Sequence, residues 1–214
     1  SRGVRGLCCS VELKNRRILI DPGIALGLNR YGLMPHPYQI AIGYRIREKI
    51  IEEIRSATDV IFSHYDGDHV PLTNANPYQL SLESIKNLLS GTHIWAEGTE
   101  SSSEMQKRRK EAIERSISHS LPSAEGQTTM PFSFSDCVPH GLRSMASVSV
   151  MMSRIEEGGA VFVHTSDVQL LHKDTIEKIL AWKPDIVLTS GPPLYLSILT
   201  KSQKQAARNN ALML

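Results

Sequence analysis

Apolar residues fall in short blocks along this chain, and the period of the blocks changes. RILIDPG (17–23) and TDVIF (58–62) are brief continuous apolar runs closed by polar or turn-forming residues, and they predict buried strands. AVFVHTSD (160–167) and PDIVLTSGPP (184–193) read the same way. RGLCCSVEL (5–13), THIWAEG (92–98) and the alternating MASVSVMMSRI (145–155) predict further strands, and PFSFSDCVPHG (131–141) an extended segment. A different period governs 38–57, where apolar residues stand at 42, 46, 50, 51 and 54 with charges between them, the spacing of an amphipathic helix. Helices are also predicted over 81–89 (with Ser81 as N-cap), within 99–121, over 173–182 and in the terminal SQKQAARNNALML. Glycine and proline mark 24–38 as a loop, and 70–80 and 121–130 also read as loops.

No internal repeat is visible. Strands dominate at first and then alternate with helices, which predicts one α/β domain, residues 1–214, of sheets packed on helices. The 214 residues with 41% hydrophobic content suffice for one such core. Three predicted strands close on ionisable clusters, at 64–69, at 140 and at 164–167. Strand ends gather at one edge of a sheet, so these clusters are expected to converge.

Charge and cysteine content narrow the setting. A net charge of +2 is well short of a nucleic-acid-binding balance. The one basic run, KRRK (107–110), is flanked by Glu104, Glu111 and Glu114 at helical spacing, so a solvated helix face is expected and a nucleic-acid partner is not favoured. Cys8, Cys9 and Cys137 are odd in number and give no disulfide framework; they read as buried thiols of a cytoplasmic protein. No apolar run approaches the roughly 18 residues of a membrane span, so no membrane partner is expected.

The densest chemistry is FSHYDGDH (62–69). His64, Asp66 and Asp68 stand two residues apart with His69 adjacent, directly after a buried strand. Imidazole and carboxylate together suit a divalent transition metal. Gly67 is expected to free the backbone to close the turn. Such a turn can serve two ions, His64 and Asp66 for one and Asp68 and His69 for the other, and two ions roughly 3.5–4 Å apart can activate a water between them.

These residues also carry a resemblance. FSHYDGDH is similar to the first motif of the metallo-β-lactamase superfamily, H-x-H-x-D-H after a strand, with Asp66 where a histidine is usual. LIDPG (19–23), PHG (139–141) and TSDVQ (165–169) resemble its later motifs. GVRGLCCSVEL, ILIDPGIAL, RYGLMPHP, VPHG, HTSDVQ and SGPPLY together resemble the UPF0282 group, a largely archaeal set of predicted metal-dependent hydrolases. The resemblance implies an αββα sandwich of the metallo-β-lactamase type. It implies that His64, Asp66 and His140 hold one metal, that Asp68 and His69 hold a second, and that Asp167 bridges them. Zinc is the first expectation; an oxygen ligand at position 66 raises the preference for iron or manganese. The superfamily's last histidine has no counterpart after Asp167 except His172, expected on the surface. The fold is therefore expected to be C-terminally incomplete, with an open edge that favours a homo-oligomer.

The function implied is a hydrolase that turns a metal-activated water on a small-molecule ester, amide or phosphoester, with Asp68 orienting the water or accepting its proton. A metal-binding or regulatory module of the same fold without turnover is the alternative, and a redox di-iron protein a weaker one. Asp21 is read either as a turn residue or as a group that orients a metal ligand. His164 is expected to be a hydrogen-bonded histidine rather than a ligand, Tyr65 and Tyr195 to be packing residues, and His36 is a candidate to line the pocket.

Overall fold

The computed structural model describes residues 4–27, 29, 32–100, 102–142 and 148–214. The chain forms two compact units, one of Ser1–Thr99 with Glu104–Ser123 and the other of Glu100–Ser103 with Ala124–Leu214.

The first unit is built on a sheet of β1 (Cys9–Glu12), β2 (Arg17–Ile20), β3 (Asp59–Phe62) and β4 (His93–Ala96), in that spatial order. β1 and β2 pair antiparallel; β2, β3 and β4 run parallel. Parallel neighbours need a crossover, and α1 (Pro37–Ser56) supplies the one between β2 and β3. Pro37 starts the helix. His36 Nδ1 accepts from the Tyr38 N–H while the Gln39 side chain returns to the His36 N–H, a reciprocal capping box. Ile42, Ile50 and Ile54 face inward, and each such side chain contributes about 1.5–3 kcal/mol on burial. Ile46 is 37% exposed, so the predicted apolar stripe is narrower than its spacing suggests. β3 is buried along its whole length, and Phe62, Leu19 and Val60 join Tyr65, Val70, Leu80, Leu82 and Leu89 in one apolar core. α2 (Lys86–Leu89) and α3 (Glu104–Ile117) complete this unit.

In the second unit the order is β11 (Ile186–Thr189), β10 (Ala160–Ser166), β9 (Ser153–Glu157), β6 (Phe132–Phe134) and β5 (Thr128–Thr129), beside a separate ribbon of β7 (Val138–Pro139) and β8 (Ser149–Val150). β9 and β10 pair antiparallel, and α4 (Lys173–Ala181) crosses to the parallel β11. α5 (Lys201–Ala211) starts at Thr200, whose side chain accepts from the Gln203 N–H. A topology therefore recurs without any sequence repeat: hairpin, helix, parallel strand, as β1-β2-α1-β3 and again as β9-β10-α4-β11.

Three predicted elements differ. The helix over 81–89 shrinks to α2, because Leu72 accepts from the Leu82 N–H and donates to Leu80 O, and that commits residues 80–82 to an extended bridge. Ser81 is not its cap; Ile85 is. The strand over 145–155 becomes β8 and β9, and the extended segment 131–141 becomes β6 and β7. Both break where the chain changes partner, at Ser135 and Met152, which bond each other. Residues 145–147 of that strand, and Arg30 and Tyr31 of RYGLMPHP, lie outside the described residues.

Candidate metal centre

The turn after β3 is held from behind by one carboxylate. Asp21 follows β2, is fully buried, and has φ +48, a left-handed conformation that aspartate tolerates better than most residues. Its Oδ1 accepts from the Ser63 N–H at 2.9 Å, and its Oδ2 accepts from Ser63 Oγ at 2.7 Å. His69 Nδ1 lies 3.0 Å from the same Oδ2, and His64 Nδ1 lies 2.9 Å from Ser63 Oγ. Because Ser63 Oγ spends its proton on Asp21, His64 Nδ1 donates to it, and His69 Nδ1 donates to the carboxylate. Both rings are thereby fixed in the tautomer whose Nε2 can bind a metal, the usual arrangement behind a metal-binding histidine. The two imidazoles sit 4.2 Å apart, and one ligand atom each from Asp21, His64 and His69 lies within 4.8 Å of the others. Asp21 thus has the contacts of an orienting group, beyond those of a turn residue.

Asp66 is placed by α3. Gln106, buried, donates from Nε2 to Asp66 Oδ1 at 2.7 Å and accepts from the Tyr65 N–H at 2.5 Å. Arg109 Nη1 donates to Tyr65 O at 2.8 Å and pairs with Asp66 Oδ1 at 3.5 Å. Asp66 Oδ2 lies 3.7 Å from His64 Nε2. Two ligand atoms about 2.1 Å from one ion in tetrahedral geometry stand about 3.4 Å apart, so this pair fits a shared metal. Asp68 pairs through Oδ2 with Arg5 at 3.2 Å.

Glycine shapes this region by what it leaves out. Gly67 does not adopt a positive φ, contrary to the expectation of backbone freedom. A Cβ there would come 2.7 Å from Leu72 Cδ1 and 2.8 Å from Gln79 Nε2, so the position needs space. Gly23 is tighter still: a Cβ would overlap the His69 backbone nitrogen and carbon.

The second unit has its own pair. His140 Nε2 lies 2.8 Å from Asp167 Oδ2. The His140–Gly141 loop is tied by Gln169 N–H to His140 O at 3.2 Å and by His172 Nε2 to Gly141 O at 2.7 Å. His172 is therefore half-buried and structural, not the surface residue expected. Ser166, just before Asp167, has φ +53 where the β10–β11 register shifts. His164 is buried, and its Nδ1 accepts from the Ser166 N–H. His36 caps α1. Tyr65 is buried and donates to Glu97 O, whereas Tyr195 is 75% exposed.

Sequence reasoning missed Gln106, Arg109 and Ser63. The first two sit within the charged run of α3, whose basic residues are partly consumed inside the unit: Arg109 on the turn, Lys110 on Gly98 O, and Lys107 on Glu104. Ser63 stands inside the motif and could have been found as the hydroxyl between the buried strand and the first histidine.

The thiols of Cys8 and Cys9 are poor metal ligands. Burial, and then the charge of Asp21, push Cys9 up to about 11 and Cys8 higher. A thiol binds metal or reacts as thiolate, which these environments oppose at neutral pH. Alkylation at pH 8, read per site by mass spectrometry, is expected to be at least tenfold slower at Cys8 and Cys9 in the native protein than in urea. Equal rates would contradict the placement of both thiols.

No described helix is long and apolar enough to cross a membrane. No protein-family model matches the chain. A UPF0282 protein of Methanosarcina mazei is 46% identical over 214 residues, all of this chain and 70% of that protein. One from Thermococcus onnurineus is 32% identical over 219 residues, 98% of this chain and 73% of the relative. Among solved structures, an isothiocyanate hydrolase from Delia radicum gut bacteria superposes with a TM-score of 0.57 at 14% identity, covering 99% of this chain and 79% of that one. The dizinc quorum-quenching lactonase AidC gives 0.51 at 15% identity, covering 87% and 72%. With identity sustained over its full length, and with metallo-β-lactamase-type motifs at the strand ends of a fold shared with such proteins, the chain belongs to the UPF0282 family and has the metallo-β-lactamase fold.

Proposed function

We propose that this protein is a metal-dependent hydrolase acting on a small ester, amide or phosphoester. One observation carries this reading: Asp21 and Ser63 tie back Nδ1 of both His64 and His69, so two buried imidazoles are fixed for metal binding beside a carboxylate. The donor set of imidazole nitrogen and carboxylate oxygen fits zinc, and iron or manganese as well. A bound divalent ion would supply Lewis acidity, easing the deprotonation of water and offsetting charge on the substrate oxygen. His64, Asp66, Asp68 and His69 are the first unit's metal-holding residues, and His140 with Asp167 the second unit's. Arg5 occupies Asp68 Oδ2, so the role of orienting a water or accepting its proton falls to Oδ1. The shared fold with a lactonase and an isothiocyanate hydrolase supports hydrolysis without naming the substrate.

Elemental analysis of protein purified without added metal or chelator is expected to give one to two equivalents of divalent transition metal per chain. Chelation should lower the thermal midpoint, since a ligand at 100 times its Kd stabilises by about 2.7 kcal/mol. It should also abolish hydrolysis across ester and phosphodiester panels. Metal-free protein with an unchanged midpoint, or activity that survives chelation, would overturn the proposal.

A further inference from the structure

The departure at position 66 has a matching feature on α3. The geometry points to Gln106 and Arg109 as positioning residues that make aspartate, and not the usual histidine, the working ligand at position 66. The inference presupposes that Asp66 holds metal, as proposed above.

Gln106 reads the turn twice. Its Oε1 accepts from the Tyr65 N–H and its Nε2 donates to Asp66 Oδ1, so one buried amide sets both the backbone and the side chain of neighbouring residues. Arg109 repeats the pattern with charge, donating to Tyr65 O and pairing with the same Oδ1. Both partners of Oδ1 are donors. That oxygen is occupied, and Asp66 is left to offer Oδ2, the atom 3.7 Å from His64 Nε2. The carboxylate therefore acts as a one-oxygen ligand of fixed direction. The nearby guanidinium also offsets its charge, which brings the position electrostatically nearer to a neutral imidazole.

A histidine at 66 meets the opposite chemistry. To bind metal through one nitrogen it must place its other nitrogen, as N–H, or its ring edge where Oδ1 now lies. The groups there are an amide N–H and a guanidinium, both donors. An N–H facing donors satisfies neither side, and a protonated ring faces a cation. Restoring the commoner motif in this chain alone is thus expected to weaken the site.

The test is a set of variants read by metal equivalents and by chelator-competition affinity, with the unfolding midpoint of chelated protein as a control for folding. Gln106→Leu is expected to lower metal affinity about 10–100-fold, the range for partners that orient a ligand. In an Asp66→Ala background the same change should have little further effect on affinity, because Gln106 acts through Asp66. Asp66→His should bind more weakly than wild type, and adding Gln106→Glu, which gives the imidazole N–H an acceptor, should recover part of the loss. A Gln106→Leu effect that persists undiminished without Asp66 would reduce Gln106 to a structural role and overturn the inference. So would an Asp66→His variant that binds zinc as well as wild type. If Asp66→Ala itself leaves metal binding intact, Asp66 is no ligand, and the broader assignment of that residue fails first, taking the clamp with it.

Discussion

Gly23→Ala is expected to be among the most damaging single changes in the chain, although it adds one methyl group at a position with no chemistry of its own. The glycine lies against the backbone of His69, and a Cβ would overlap the His69 nitrogen and carbon and come 2.5 Å from the Val70 nitrogen. These are main-chain atoms, so no side-chain rotation can relieve the clash. Neither backbone can yield freely: His69 N–H donates to Asp66 O, Val70 N–H donates to the same oxygen, and Gly23 N–H donates to Asp21 O. Overpacking of this kind costs about 3 kcal/mol or more where the surroundings cannot shift. If the structure does shift, His69 moves away from Asp21 and the candidate metal turn opens. The urea midpoint and the metal content should therefore fall together. A variant with the wild-type midpoint and full metal would show that the β2 loop does not press on the turn.

The second large effect is expected from Asp21→Asn. Asparagine is the right probe because it keeps the size of the side chain and tolerates the φ of +48, so the backbone is not strained. What changes is the hydrogen bonding. Asp21 accepts from Ser63 N–H, Ser63 Oγ and His69 Nδ1. An amide offers one acceptor oxygen and a donor group, and that group faces donors. At a site with no access to water, each unmatched donor costs about 1–3 kcal/mol, so a loss of about 3 kcal/mol is expected in the unfolding free energy. The same change releases His69 and, through Ser63, His64, so metal affinity should drop about 10–100-fold. Chelated protein separates the two effects: the stability loss should persist without metal, and the affinity loss is read only with it. Retained affinity would mean that the two rings are oriented by something other than Asp21.

These cases show what the sequence could and could not disclose. The candidate turn was legible as a cluster because it is local: alternation of His, Asp and Asp behind a buried strand is a pattern within eight residues. Asp21 was legible as a strand-end carboxylate within the LIDPG motif. The donors that Ser63 and His69 bring to it were not, since these residues lie 42 and 48 positions away. The reason for Gly67 was misread, because a glycine in a turn suggests φ freedom while the crowding by Leu72 and Gln79 is a tertiary fact. Gln106 was hidden by its neighbours: in EMQKRRKE an uncharged polar residue among charges looks like more solvated surface. The long helix expected over 81–89 failed for a similar reason, since a bridge to Leu72 outweighed local helix preference. His172 was assigned to the surface because its partner, Gly141 O, is 31 residues distant.

The grip of α3 on the turn after β3 also bears on how the protein is made. HYDGDH spans six residues, yet the donor that directs its middle carboxylate lies 40 positions downstream. Closing so long a loop costs entropy before any contact repays it, so such contacts form late compared with local turns. A nascent chain that has released only the histidines and aspartates holds the right atoms without the right shape. Selectivity for one ion over another is a property of shape as much as of ligand type, and it cannot be exercised until the helix has docked. On the proposed reading, choice of metal therefore belongs to the folded chain and not to the emerging one, and an ion captured early would be held on terms that α3 later revises.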